Sequence, residues 1–173
     1  MVVMEALHLI AVWLHVLAVA VWLGGSVFLA LVLVPATRQP EYRGMAASLI
    51  AWTGTRFSRI SWACFGVLLL TGLFNIFYHA LEEGAGWTGP FEGQFWQGEF
   101  GRTLALKLAL VAVIFAGSAL HDFAIGPHAT ALWQADPRSE QAARLRRQAS
   151  YIGRLNLLLA LVVVALGVVL SRH

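Results

Sequence analysis

Apolar residues run almost unbroken through four stretches of this chain, near 6–34, 57–80, 103–125 and 152–171, and the charged residues collect between them. Each stretch meets the roughly 20 residues a helix needs to cross a hydrocarbon core of about 30 Å. Leu, Ala and Val fill the runs without the alternation of a membrane β-strand, so the pattern predicts helices. The expected fold is all-α: an integral membrane four-helix bundle forming a single domain over 1–173. The first run is too long, and too poor in flanking positive charge, for a cleaved signal peptide, and reads as a retained helix.

The gaps carry their own patterns. Helix 1 is expected to stop at Pro35. Segment 41–56 mixes Met45, Leu49, Ile50 and Trp52 with polar residues, which predicts either an interfacial helix or an extension of the second span. Asp136-Pro137-Arg138-Ser139-Glu140 is a helix-start signal leading through an arginine-rich stretch into the fourth span. The loop at 81–102 interleaves Trp87, Phe91, Phe95, Trp96 and Phe100 with Gly84, Gly86, Gly89, Gly93, Gly98 and Gly101. Aromatic rings favour the headgroup level and glycines oppose regular helix, so this loop reads as an interfacial anchor or as a lid over an outward-facing site.

Composition strengthens this picture. The chain is 59% hydrophobic and 12% charged, with a mean hydropathy of +0.72. Arg38, Arg43, Arg56, Arg59, Arg138, Arg144, Arg146, Arg147 and Arg154 all fall on one side of the four spans, and Arg102 and Arg172 on the other. By the positive-inside rule both termini lie outside, on the periplasmic side of a plasma (inner) membrane. The basic residues therefore reflect topology and not nucleic-acid binding. One cysteine, Cys64, excludes an intrachain disulfide and any multi-cysteine metal site.

Candidate chemistry is confined to a few polar positions. The single lysine, Lys107, lies inside the third span at a depth similar to that of His15 in the first. Ionisable groups at such depth face a partner, a wet cavity or a protein interior; snorkelling is the alternative for Lys107. Met4, His8, Ala11, His15, Ala18, Trp22 and Gly25 share one face of helix 1, because seven residues are close to two turns. The small members let another helix approach closely. On helix 2, Thr71, Asn75 and His79 share a face, and His79 is level with His8, so the two histidines can contribute to one metal site. On helix 3, Thr103, Lys107, Leu110, Ile114, Gly117 and His121 line up, with Asp122 able to orient His121. His128 reads as a loop residue, and His173 lies on the same side as His8 and His79. Walker, GxSxG, HExxH and dinucleotide fingerprints are absent, which sets hydrolase and nucleotide chemistry aside.

Leu14-His15, Val21-Trp22-Leu23-Gly24-Gly25, Arg56-Phe57-Ser58-Arg59, Leu70-Thr71-Gly72-Leu73 with Asn75, Gly101 through Leu108, and Arg154-Leu155-Asn156 together resemble the copper-resistance D (CopD-like) membrane proteins. The resemblance implies copper handling, described for that family as movement of copper inward from the periplasm. A partial likeness to the haem-containing HemJ-type protoporphyrinogen oxidases rests on His15 seven residues before Trp22 and on Lys107 preceding His121. It implies haem b, to which, with activity, a histidine and a lysine of this kind are tied in that family.

Three functions follow. The first is copper homeostasis through an outward-facing site of His8, His15 and His79, with a periplasmic copper carrier as a possible partner. Cu(I) prefers sulfur ligands, and the outer side offers only Met1 and Met4, so histidines there suit Cu(II). The second is a haem b redox protein with His15 as axial ligand, His79, Lys107 or no side chain as the second, and a quinol- or porphyrin-like substrate. The third is a structural membrane subunit.

Overall fold

The computed structural model describes residues 2–136 and 138–172; Met1, Pro137 and His173 lie outside them. Four long helices account for nearly everything described: α1 over Val2–Ala36, α2 over Ala46–Glu82, α3 over Glu99–Ala135 and α4 over Glu140–Leu170. No strand occurs among the described residues. All four helices are long and apolar enough to cross a membrane.

Three of the expected boundaries move. Helix 2 extends back to Ala46 without a break, so of the two expectations for 41–56 the extension of the second span holds from residue 46, and a separate interfacial helix does not form. Helix 1 passes Pro35 by one residue, because a π-helical turn at Leu29–Leu33 precedes it and proline sits harmlessly in the first turn of the short helix that follows. Helix 3 continues past 125 through a second π-helical segment, Leu120–Ile125, into Gly126–Ala135, where Pro127 again occupies a first turn. His128 is therefore helical and not in a loop. Ser139 caps α4, its hydroxyl accepting the Ala142 N–H, as the sequence signal there requires.

The bundle is antiparallel throughout. His8 meets Tyr78, His15 meets Thr71 and Trp22 meets Phe65, a constant register between α1 and α2. Phe65–Phe115 and His79–Phe100 set the register of α2 on α3, and the approach of Lys107 to Gly167 and of Ser118 to Asn156 sets that of α3 on α4. α1 packs on α2 and α4, and α3 packs on α4 and α2, so α1 and α3 stand diagonally opposed. Val2 and Arg172 consequently emerge at the same end.

Interior positions go to small residues and rings, while large aliphatics face outward. α1 buries only Ala11 and Ala18, whereas Trp13, Leu31 and Leu70 are left more than 60% exposed, the arrangement suited to a lipid solvent. Gly25 is needed at its crossing: a Cβ there would run into the Phe57 ring. The tightest apolar packing, around Phe65, Ile114 and Ala160 with Trp22, Trp62 and Phe115, fills the arginine-rich half. The other half carries the polar cluster described next.

The loop between α2 and α3 makes two 3-10 turns, Gly89–Phe91 and Gly93–Trp96, with Gly84 and Gly86 at positive φ. Phe91 is 80% exposed and leans on Phe77, while Phe95 turns inward against His79 and Phe100.

Candidate functional site

His15 is held from α2. Its Nδ1 lies 2.8 Å from Thr71 Oγ1, and Gly72 leaves room for the ring: a Cβ there would stand 3.4 Å from His15 Cε1. The protonation pattern follows from counting hydrogens. The Thr71 hydroxyl has one proton and donates it to the Val67 carbonyl at 2.6 Å. Its oxygen can therefore only accept from the imidazole, which fixes the proton on His15 Nδ1 and leaves the Nε2 lone pair free. This is how ligating histidines are commonly prepared: the far nitrogen is tied down and the near one is presented.

Two further polar groups stand at the same level. Lys107 reaches inward from α3: its Nζ lies against α4, 3.6 Å from where a Cβ on Gly167 would be, and within electrostatic range of His15. The lysine is half-buried. The α2–α3 register puts it level with the Thr71–Asn75 turn. Asn75 lies one turn from Thr71 on the same face, and its buried Oδ1 has no hydrogen-bond partner. A buried orphan acceptor calls for a water, ion or ligand donor.

The remaining histidines of this half of the bundle sit on aromatic rings. His8 stacks face-on against Tyr78 at 3.9 Å between centroids. His79 stacks against Phe100 at 3.7 Å. Among the described residues, no three His, Cys, Asp or Glu side chains gather as a metal-binding group.

A second cluster, in the arginine-rich half, surrounds Asp122. Oδ1 lies 2.8 Å from His121 Nδ1, while Oδ2 accepts from Ser58 Oγ at 2.7 Å and from Trp62 Nε1 at 3.2 Å. The sequence suggested the Asp122–His121 contact but not Ser58 and Trp62, although their i, i+4 spacing on one face of helix 2 was a usable signal. The π-helical segment Leu120–Ile125 carries both members of the pair, and π-bulges recur at functional positions. A third polar knot joins α3 to α4: Asn156 Nδ2 donates to Ser118 Oγ at 3.0 Å and to the Ile114 carbonyl at 3.3 Å.

This arrangement can now be compared with known proteins. The family model for copper resistance protein D matches residues 51–170. The chain belongs to the copper resistance protein D family. An uncharacterized protein of Aquifex aeolicus (strain VF5) is 32% identical over 169 residues, covering 97% of this chain and 96% of its own length. No solved structure matches. The matched span contains Thr71, Asn75, Lys107, the Asp122 cluster and Asn156; His15 lies outside it and enters the site through its bond to Thr71. Family and fold together make this a multi-pass membrane protein associated with copper resistance.

Proposed function

We propose that the chain serves copper homeostasis at the plasma membrane. In this reading both termini face outward, and the ion is handled at His15 on the outer side of the bundle. The observation that carries the proposal is the fixed Nδ1–H tautomer, which presents His15 Nε2 as an available ligand, with the orphan Oδ1 of Asn75 one helical turn from Thr71 on α2. Copper is the cargo here and not a resident cofactor. One imidazole and one amide oxygen make a weak site, and weak binding suits an ion that must leave again. Lys107 acts in the same direction: its ammonium repels a cation held at His15, so occupancy is brief and the ion is released readily. His8 and His79, on the outer side of His15, serve as approach ligands, with Glu5, Glu82 and Glu83 concentrating cations there.

The test is copper binding by the purified full-length chain, measured by competition with a chromophoric chelator. His15→Ala is expected to abolish the site, and His8→Ala to leave most of it. Unchanged binding in His15→Ala would end the proposal.

One observation favours a second reading: a lone presented imidazole with an ammonium nearby also suits an anionic macrocycle. In that case His15 would be the axial ligand of haem b and Lys107 a partner for a propionate. Bound haem would supply one-electron chemistry. Ala11, Ala18 and Gly72 are the small residues on the packed faces beside His15. A Soret band in protein produced with ample haem, lost in His15→Ala, would move the assignment from copper to haem.

A further inference from the structure

At the opposite end of the bundle from His15, two arginines of the α1–α2 connection and one of α4 converge on one cavity. Arg38 follows the end of α1, Arg43 stands in the α1–α2 connection, and Arg146 lies on α4. With Thr37, Ala46 and Trp133 they line a space of about 380 Å³. The floor is tight, Thr37 and Ala46 being 8% and 1% exposed. The Thr37 hydroxyl is occupied by the Val34 carbonyl at 2.9 Å.

The charge here is uncompensated. Among the described residues the one ion pair is His121–Asp122, so no carboxylate lies within salt-bridge distance of Arg38, Arg43 or Arg146. Arg38 is within electrostatic range of Arg146, and like charges held together need a counter-charge. The C-terminus of α1 contributes only about half a negative charge, which three guanidiniums exceed severalfold.

Arg146 is also preorganised. Its guanidinium lies 3.5 Å over the centre of the Trp133 ring, where cation–π contact holds the plane. Stacking engages the face of the guanidinium and leaves the edge N–H groups free for a tetrahedral oxyanion. Arg38 and Arg43 add further forks from neighbouring directions. The cavity lies beside the ends of apolar spans, next to exposed Tyr42 and Met45, which is where the headgroup of a lipid would reach.

We propose that this arginine pocket binds a phosphate group. A phosphate diester on an acidic phospholipid and free inorganic phosphate share that chemistry, and the experiment separates them. The full-length chain, delipidated in a neutral detergent, is melted with phosphatidylglycerol against phosphatidylcholine, and with sodium phosphate against sodium chloride at equal ionic strength. The wild type is expected to show a saturable rise in Tm with one phosphate source over its control; which source it is identifies the ligand. Arg146→Gln and Arg38→Gln should each raise the half-saturating concentration by about tenfold, the loss of one charge-assisted contact. Arg147→Gln, on the same end but outside the cavity, should not. Arg146→Lys keeps the charge without the planar fork and should bind at an intermediate level, which covers a glutamine variant that fails to fold. No phosphate-specific shift in the wild type, or an equal loss in Arg147→Gln and Arg146→Gln, would overturn the proposal.

Discussion

Replacing Lys107 by methionine distinguishes the two readings of the His15 site by the sign of its effect. Methionine keeps the length and flexibility of the stem and removes the charge. His15 and Lys107 reach inward from diagonal helices, so a cation on His15 Nε2 and the ammonium stand on the order of 8 Å apart, one interhelical spacing. With an effective dielectric near 20, two unit charges at that distance repel by about 2 kcal/mol. Lys107 is partly exposed, and solvent screening lowers this toward 1 kcal/mol. For Cu(II), the ion that suits a histidine site, the double charge doubles this to about 2–4 kcal/mol, so Lys107→Met should bind it at least about 30-fold more tightly than wild type. The assay is chelator competition on the detergent-purified protein at low and high salt, with circular dichroism to confirm the helices. The double variant His15→Ala/Lys107→Met should not bind, which locates the gain at His15. If haem is the ligand, the same substitution removes a propionate partner and weakens binding. Copper affinity that is unchanged or weaker in a folded Lys107→Met protein would refute the electrostatic reasoning.

Thr71→Val removes the acceptor that fixes the His15 tautomer and should lower copper affinity by about tenfold or more, as loss of such an orienting partner does, while Thr71→Ser retains it; chelator competition reads both. Gly117→Ala would place a Cβ 2.6 Å from Asn156 Oδ1 and should destabilise the α3–α4 seam by about 1–3 kcal/mol. Gly153→Ala, with open space around it, should be neutral or mildly stabilising in the same thermal melts. Asp122→Asn leaves one oxygen to serve three donors and turns an amide N–H₂ toward them, so a loss of about 2 kcal/mol is expected, visible as a lowered Tm.

The four spans could be read from the sequence because hydropathy over 20 residues is a strong signal and neighbouring helices do not change it. The helix-1 stripe was legible for the same reason: His15 and Gly25 fall on the packed face, as heptad spacing required. What a single helix cannot reveal is the partner it meets. His8 and His79 read as level, and the register gives His8 the neighbouring residue, Tyr78, as its face-on contact. The Arg146–Trp133 stack joins residues from two helices whose angular phase the sequence does not state. The Asn75 orphan and the Thr71 proton count depend on atomic positions in the same way.

The π-helical segment Leu120–Ile125 has a consequence for how this chain tolerates change. A π-turn adds one residue to an α-helix, and one residue is about 100° of rotation. The wider turn absorbs that rotation, so everything after it, including Trp133, keeps the phase of a regular helix one residue shorter. Deleting one residue between 120 and 125 would let the helix rewind as regular α with Trp133 still turned toward Arg146, whereas the same deletion between 126 and 132 would swing Trp133 away by about 100°. Among related sequences, a one-residue gap within 120–125 would thus be silent: the spans would still align, and the face presented to α4 would be the same one.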